Sequence, residues 1–379
     1  MSANSTINSI FIVAGEESGD IHGAQLVQEI NKLNPSILFI GHGGDRMESA
    51  GVEIIKHISN LSLVGFTEVV KHLPYIHKVM KNTANEIKNI HPSRIILIDY
   101  PGFNLSLAKR IQKLQIPITY FILPQVWAWK ENRAYKLKRL TDQLLSIIPF
   151  EKEWFNQRGI DVDFVGHPFV DIDKPKINKN AFFIKHSLDK NNPVLTLLPG
   201  SRQQEIDRHW PIFRTVINNL REVFPKLQFI VGQAPDVIFT DCPNYVHIEK
   251  DFPRLTMHYG DAGLIASGTA TLEAAVTGLP AVVCYKTSNI TYWLGKRLAK
   301  VNFISLINLI ENRQIVPEFI QKKMTADILI KAIIPLLSNT PERTKMIEAY
   351  KSVAKKLGPP GVYSQAAQLI IDRTNQFVK

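Results

Sequence analysis

The stretch Leu264-Ile-Ala-Ser-Gly-Thr-Ala-Thr-Leu-Glu-Ala-Ala-Val-Thr-Gly-Leu-Pro-Ala-Val-Val-Cys-Tyr285 constrains the fold of this chain more than any other segment. Apolar Leu264–Ala266 reads as the end of a buried strand, and Ser267, Gly268, Thr269, Ala270 and Thr271 place small and hydroxyl residues where a helix begins. Gly278 is suited to end that helix in the left-handed conformation, and Pro280 leads into a second apolar strand, Ala281–Tyr285. A strand, a helix and a strand joined this tightly make a right-handed crossover between parallel neighbours of one sheet. The backbone N–H groups and the positive end of the helix dipole then face whatever occupies the turn, and a diphosphate is the natural occupant. Glu273, read as lying in the first turn, is placed to accept both hydroxyls of a ribose. An ordinary capped crossover carries the same pattern, and this segment alone does not separate the two.

The remainder of the chain repeats the alternation. Ser9–Ala14 reads as a strand, followed by a helix with Leu26, Val27, Ile30 and Leu33 on one face. Ile37–Ile40, Arg94–Asp99, Ile118–Ile122, Gln143–Ile148 and Asp163–Val165 continue the series. Polar Asp171–Asn180, with Pro175 inside it, reads as a linker. A second series runs through Val194–Leu198, Leu227–Val231, Leu264 and Ala281. With 379 residues and 45% apolar content, the expectation is an α/β protein of two doubly wound, Rossmann-like domains facing a cleft. The boundaries read as residues 1–170, 171–350 and a C-terminal helix in 351–379. In such sheets ligands gather outside the carboxyl ends of the strands, which selects the loops after Ala14, Ile98, Leu198 and Ala266.

Charge narrows the partners. The 45 basic residues exceed the 34 acidic ones by 11, which favours phosphorylated substrates, an acidic membrane surface or nucleic acid. No zinc-finger, helix-turn-helix or RNA-recognition signature accompanies that charge, so nucleic acid is not expected. Cys242 and Cys284 form no ligand or redox pattern, consistent with a reducing compartment and no structural metal. The first basic residue is Lys32 and no apolar run reaches about 18 residues. A cytoplasmic protein touching a membrane only from its surface is expected.

Within the selected loops, Pro199-Gly200-Ser201-Arg202 follows its strand directly, with Gly200 permitting close backbone approach and Arg202 offering a forked cation to a phosphate oxygen. Arg202 as a cap or ion pair at the helix start is the alternative. Gly15, Gly19 and Gly23 do not match the dinucleotide fingerprint, and Gly41-His-Gly-Gly-Asp-Arg46 lacks its final glycine, so a dehydrogenase is not indicated. Glu16, Glu17 and Asp20 put carboxylates where a hydroxylated acceptor is welcomed and an anion repelled, with helix capping the alternative reading, preferred for Asp20. Asp99 ends its strand before Pro101-Gly102 and can take a proton from an attacking hydroxyl, or else organise its loop. The triplets Asp161-Val-Asp163 and Asp171-Ile-Asp173 lie away from the carboxyl edges, so no metal is expected and activity should survive a chelator. His22, His42 and His167 have no ligand spacing and read as structural; Trp127 and Trp129 read as packing or cleft-lining residues.

Ala14-Gly-Glu-Glu-Ser-Gly-Asp20, Leu123-Pro-Gln-Val-Trp-Ala-Trp129, Val165-Gly-His-Pro168, Leu198-Pro-Gly-Ser-Arg202, Ser267-Gly-Thr-Ala-Thr-Leu-Glu273 and Val301-Asn-Phe-Ile-Ser-Leu-Ile-Asn-Leu309 together, in this order and across nearly the whole chain, resemble the lipid-A-disaccharide synthases. Small departures are Glu17 for a usual Ala, Leu123-Pro-Gln for Ser-Pro-Ser and Ile307 for a Pro. The resemblance implies the two-domain GT-B architecture and an inverting glycosyltransferase. The donor it implies is UDP-2,3-diacylglucosamine, the acceptor 2,3-diacylglucosamine 1-phosphate, and UDP leaves without a cofactor. It places UDP on Arg202, the Ser267–Glu273 loop and Asn308, and puts Asp99 where the family has an essential acid. Glu16, from the acceptor-welcoming loop, joins Asp99 as the second expected catalytic residue. It also implies a C-terminal helix, here amphipathic Gln365–Phe377, that returns to the N-terminal domain and could be exchanged in a homodimer. An acceptor 6-hydroxyl would attack in line while Asp99 removes its proton and the 267–271 amides stabilise the departing UDP.

Lipid substrates give the basic surplus a purpose. Val69, Val70, Leu73 and Ile76 interleave with Lys71, His72, Lys78 and Lys81, and Tyr292-Trp-Leu-Gly-Lys-Arg297 with Lys300 forms a second aromatic and basic stretch. Each can rest on the cytoplasmic face of the inner membrane, although core packing is the expected role of Trp293. A UDP-sugar epimerase of the same fold accounts for the phosphate-type loops but not for the Val-Trp-Ala-Trp segment; a non-catalytic nucleotide-sugar sensor would have no use for Asp99.

Overall fold

The computed structural model describes residues 7–61, 73–172, 175–235 and 237–378. They form two compact units, one spanning Met1–Asp171 and Gly358–Lys379, the other Ile172–Leu357.

In the first unit seven strands pair in parallel: β1 (Ser9–Val13), β2 (Leu38–Gly43), β3 (Val52–His57), β4 (Arg94–Ile98), β5 (Ile118–Phe121), β6 (Gln143–Ser146) and β7 (Asp163–Phe164). Their order is β3-β2-β1-β4-β5-β6-β7. Because side chains alternate across a strand, Phe11, Val13, Ile95 and Leu97 join one buried layer while Ile10, Ile12, Ile96 and Ile98 join the other. Burial on both faces explains why these strands read as unbroken apolar runs. β2 runs on past Ile40 through Gly41-His42-Gly43. Gly41 packs so tightly on β1 that a Cβ there would lie 1.8 Å from the Ile12 carbonyl oxygen. That glycine serves sheet packing, not a phosphate.

The C-terminal helix Val362–Val378 packs on this same unit, adding Val362, Ala366, Ala367 and Ile370 to the layer beneath Ile10 and Ile12. Buried Arg94 locks it. Its Nε donates to Thr374 Oγ1 at 2.6 Å while its two terminal nitrogens bind the Asp142 carboxylate, each at 3.1 Å. Asp171 accepts from the Gly361 and Val362 amides at 2.6 and 2.8 Å, capping the helix. That accounts for one acid of the second Asp-x-Asp triplet; Asp173 lies outside the described residues.

The second unit has six parallel strands, β8 (Val194–Leu198), β9 (Gln228–Gly232), β10 (Val246–Glu249), β11 (Ala262–Ala266), β12 (Ala281–Tyr285) and β13 (Glu318–Ile320). Their order is β10-β9-β8-β11-β12-β13. The edge strands β3, β10 and β13 escaped the sequence reading because half-exposed edges carry mixed polar residues. Strand order reverses between β1 and β4 in the first sheet and between β8 and β11 in the second. A crevice opens at each such switch point, outside the carboxyl ends of the strands. The loops after Ala14, Ile98, Leu198 and Ala266 are the ones that leave those four strand ends.

Candidate active site

At the first switch point, β4 ends in two consecutive left-handed residues, Asp99 at φ 42° and Tyr100 at φ 44°. Non-glycine residues hold that conformation only where the surroundings over-determine it. Here they do: the Asp99 carbonyl accepts from the Tyr120 hydroxyl at 2.5 Å and from Asn104 Nδ2 at 2.8 Å. The Asp99 amide donates to the Phe121 carbonyl at 3.1 Å. Pro101 then starts the helix Pro101–Ile111 with φ already suited to it. From the β1 side, Gly15 lies flat against the Tyr100 ring; a Cβ there would be 2.2 Å from Tyr100 Cδ1.

Two effects act on the Asp99 carboxyl. Burial, joined by the negative charge of Glu16, pushes it up to about 6, against the pull of the Tyr100 amide. Glu16 is exposed, and although it stands at the N-cap of the helix Glu17–Leu33 its side chain caps nothing there. Asp20 does cap, but a different helix: it is buried and accepts from the amides of Gly44 at 2.6 Å, Arg46 at 3.1 Å and Met47 at 3.1 Å. Of the three acids at this loop, Glu16 is the one whose charge is felt at Asp99.

A further carboxyl follows β6 and had no sequence signal beyond a Phe-Glu pair at a strand end. Glu151 is fully buried, its Oε1 accepting from Trp127 Nε1 at 2.8 Å and its Oε2 from Ser146 Oγ at 2.7 Å. Burial outweighs these bonds and raises it to about 7, with the Asp99 charge adding to the rise. Trp127 is thereby explained as a buried donor that ties the segment after β5 to the loop after β6, whereas Trp129 is 53% exposed.

The second switch point carries the anion-type loops. Gly200 has φ +140°, and a Cβ there would meet Glu205 Cβ at 2.5 Å. Glu205 in turn accepts from the Ser201 amide at 3.0 Å, so a carboxylate already sits where a phosphate would approach. Exposed Arg202 is the N-cap of the helix Gln203–Val223. Buried His209 braces the loop: Nδ1–H donates to the Pro199 carbonyl at 2.6 Å and Nε2 accepts from the Lys286 amide at 2.9 Å. Burial holds this imidazole neutral, as that pair of bonds requires.

After β11, the helix Thr269–Thr277 begins with Gly268 at its N-cap and no side chain capping it, and ends at left-handed Gly278. Thr269 is exposed and Ala270 half-buried, whereas the Thr271 hydroxyl turns back to the Gly268 carbonyl at 2.8 Å and the Ser267 hydroxyl reaches the Ile304 carbonyl at 3.3 Å. Glu273 falls in the second turn, not the first, because the helix starts at Thr269. It pairs with Arg254, while burial raises its carboxyl.

Asn308 departs from the expected direct contact with UDP. It is fully buried, its Nδ2 donating to the Val316 carbonyl at 2.9 Å and to Glu318 at 2.7 Å, its Oδ1 accepting from the Ile315 and Val316 amides at 2.6 and 3.0 Å. All four amide hydrogen-bonding positions are filled internally. Glu318 also holds the amides of Ile304 and Ser305, and the Ile304 carbonyl accepts from Ser267, which links Asn308 to the Ser267 loop through Glu318 and Ile304.

Val69, Val70 and Lys71 lie outside the described residues, and of Leu73 only the backbone, at the start of the helix Leu73–Ile90, is described. Ile76 packs inward on the first core layer, not outward. Trp293 corrects the core expectation in the other direction, being 58% exposed. The three histidines are structural: His22 binds the Tyr363 hydroxyl at 2.8 Å, His42 binds Thr83 Oγ1 at 3.0 Å, and His167 accepts from the Phe169 amide at 3.2 Å. Burial lowers all three, His22 and His42 to about 4 and His167 to about 3. Among the described residues no group of three or more metal-ligating side chains gathers, and no helix is long and apolar enough to cross a membrane.

The fold is shared widely. The UDP-GlcNAc 2-epimerase of Neisseria meningitidis bound to UDP-GlcNAc superposes with a TM-score of 0.63 at 12% identity, covering 97% of this chain and 100% of its own. CalG4, the calicheamicin glycosyltransferase, superposes at 0.61 and 14% identity, covering 96% of this chain and 98% of its own. Likeness at that level speaks for architecture alone, the GT-B arrangement that epimerases and glycosyltransferases have in common. Sequence goes further. The lipid-A-disaccharide synthase of Geobacter sulfurreducens is 36% identical over 380 residues, spanning 98% of this chain and 99% of that protein. The enzyme of the same name from Myxococcus xanthus is 35% identical over 371 residues, spanning 96% and 97%. The family model for lipid-A-disaccharide synthetase matches residues 10–371, a range holding both switch points with Asp99, Arg202 and the Ser267–Glu273 loop, and the chain therefore belongs to the lipid-A-disaccharide synthase family.

Proposed function

We propose that the chain is a hexosyltransferase that joins UDP-2,3-diacylglucosamine to 2,3-diacylglucosamine 1-phosphate, yielding the β-linked lipid A disaccharide 1-phosphate and UDP. The observation that carries this reading is the division of chemistry between two switch points in a chain that matches the family along its length. Carboxyl groups gather at the first, where a hydroxyl acceptor can be deprotonated; backbone amides, Arg202 and a helix N-terminus gather at the second, where a diphosphate can be held.

The donor sugar is α-linked to UDP, so a β-linked product requires one in-line displacement. The acceptor 6-hydroxyl attacks the anomeric carbon, Asp99 takes its proton, and the bond to the UDP oxygen breaks. Arg202 and the amides at the start of the helix Thr269–Thr277 stabilise the charge that develops there, with no divalent metal or cofactor. Binding of the diphosphate at Ser201 displaces Glu205 from that amide. Glu273 accepts the ribose hydroxyls, and Asn308 acts indirectly by holding the segment beneath Ser267. Because both substrates carry acyl chains, the enzyme works at the cytoplasmic surface of the inner membrane as a peripheral protein, where the excess of 45 basic over 34 acidic residues favours anionic lipid.

The test is UDP release from UDP-2,3-diacylglucosamine in detergent micelles containing excess chelator, with and without the monosaccharide 1-phosphate, and mass spectrometry of the lipid product. Acceptor-dependent UDP with a disaccharide 1-phosphate is expected. Conversion of the UDP-sugar to an epimer without acceptor would overturn the reading in favour of the activity of the structural neighbours.

A further inference from the structure

The helix Asn289–Leu298, in the second unit, is built inside out. No residue of it is buried, and Ile290, Trp293, Leu294 and Leu298 are 75%, 58%, 46% and 47% exposed. At about 100° per residue these four, with Arg297, share one face, whereas half-buried Tyr292 lies on the opposite one. An amphipathic helix of a globular protein normally turns its apolar stripe to the core; here the stripe points to solvent. Isolated exposed hydrophobics need no explanation, but a contiguous stripe of four asks for an apolar partner. The helix is firmly formed at its start, where Ser288 Oγ accepts from the Thr291 amide at 3.1 Å.

The charge of the segment that carries the stripe identifies that partner. From Ala274 through Ile310 the sequence contains no Asp or Glu, but it contains Lys286, Lys296, Arg297 and Lys300. The Arg297 guanidinium stands over the Trp293 ring, 5.5 Å from its centroid, so cation and aromatic ring are presented together. Two copies of this chain meeting through the face would oppose Lys296 and Arg297 with their own duplicates and supply no carboxylate from the segment. A surface with an apolar interior and an anionic skin matches both features, and amphipathic segments with basic residues beside Trp and Leu lie in the headgroup region of such a surface.

We propose that the helix Asn289–Leu298 is a docking surface by which the second unit itself rests on a bilayer containing anionic phospholipid. This names a surface for the membrane contact in the functional reading above and draws its purpose from that reading, while its evidence is the outward stripe and the basic, acid-free sequence of the segment that carries it.

The experiment uses the full chain with vesicles of phosphatidylcholine alone or with phosphatidylglycerol added, by co-sedimentation at low and high salt. The wild type is expected to bind the mixed vesicles, less so at high salt. Ile290→Ser/Trp293→Ser/Leu294→Ser is expected to lose binding by about tenfold or more, and Lys296→Glu/Arg297→Glu to lose the preference for anionic vesicles, each keeping the wild-type melting temperature and micellar UDP release. Vesicle binding by the triple variant equal to wild type would overturn the proposal. So would a wild-type dimer that the triple variant converts to monomer without change in vesicle binding, which would assign the face to a second copy. Wild-type Trp fluorescence should be quenched by brominated phospholipid, with much of that quenching absent in Trp293→Phe; equal quenching in both would also count against it. Absence of acceptor-dependent UDP release in the wild type defeats the transferase reading instead, whatever the vesicles show.

Discussion

Asp99 and Glu151 follow strands of one sheet and both hold their protons more tightly than free carboxyls, for reasons with different consequences. Asp99, raised to about 6 by burial and Glu16, can serve as the proposed base only when ionised. Its kcat/KM should therefore rise with pH through about 6, and Asp99→Asn should lower turnover by roughly 10²–10⁴ while UDP affinity, measured by calorimetry, is preserved. Glu151, raised to about 7, is protonated in the folded chain at pH values where the unfolded chain has lost the proton. Its folded pKa lies above its unfolded one, so the stability it contributes is complete below about 4.3 and is lost as pH rises through about 7, on the order of 3 kcal/mol. Glu151→Gln, which keeps an acceptor for Trp127 without a titrating proton, should flatten that decline in a series of melting temperatures from pH 5 to 8.

At the scale of elements, the site loops are held by close packing and by saturated polar groups. Gly15→Ala would drive a methyl into the Tyr100 ring and should disturb the left-handed Asp99–Tyr100 pair, costing about 1–3 kcal/mol and most of the turnover. Gly102→Ala, two residues beyond Tyr100 in the chain and with nothing within 4 Å of the new methyl, should leave turnover near wild type in the same assay. Asn308→Ala would strand the Ile315 and Val316 amides and remove a donor from Glu318, each unsatisfied group costing about 1–3 kcal/mol. Melting temperature and UDP affinity should fall together. Loss of UDP affinity at an unchanged melting temperature would instead make Asn308 a direct ligand.

Across the whole molecule, the last helix belongs to the first unit although the second intervenes in sequence. Removing Gly358–Lys379 would strip Val362, Ala366, Ala367 and Ile370 from the buried layer they share with Ile10, Ile12, Leu26 and Val27, uncovering that layer, and would take Thr374 from buried Arg94. Burial of such side chains contributes about 1.5–3 kcal/mol for each large one, comparable in sum with the stability of a whole domain. The first unit should unfold, read as loss of its protease-resistant fragment while that of Ile172–Leu357 persists.

The same particulars divide what was legible in the sequence from what was not. Unbroken runs such as Ile95–Ile98 and Ala281–Tyr285 announced central parallel strands, since burial on both faces leaves no room for polar residues. Gly278 announced a helix end because its φ of 77° favours glycine, and the motifs after Ala14, Leu198 and Ala266 announced the family because their order spans the chain. The edge strands β3, β10 and β13 gave no such signal. Glu151 and His209 gave none either, since their roles depend on partners that only the fold brings close: Trp127 is 24 residues from Glu151, and Lys286 is 77 from His209. Asn308 was singled out by its motif, but its internal saturation was not legible, for the same reason. The chain's sequence by itself determined the alternating architecture, the loops that carry chemistry and the kinship, because these rest on local pattern. Tertiary structure alone decided which acids feel one another, which polar residues are saturated and which apolar face is left outside, because burial and proximity are properties of packing.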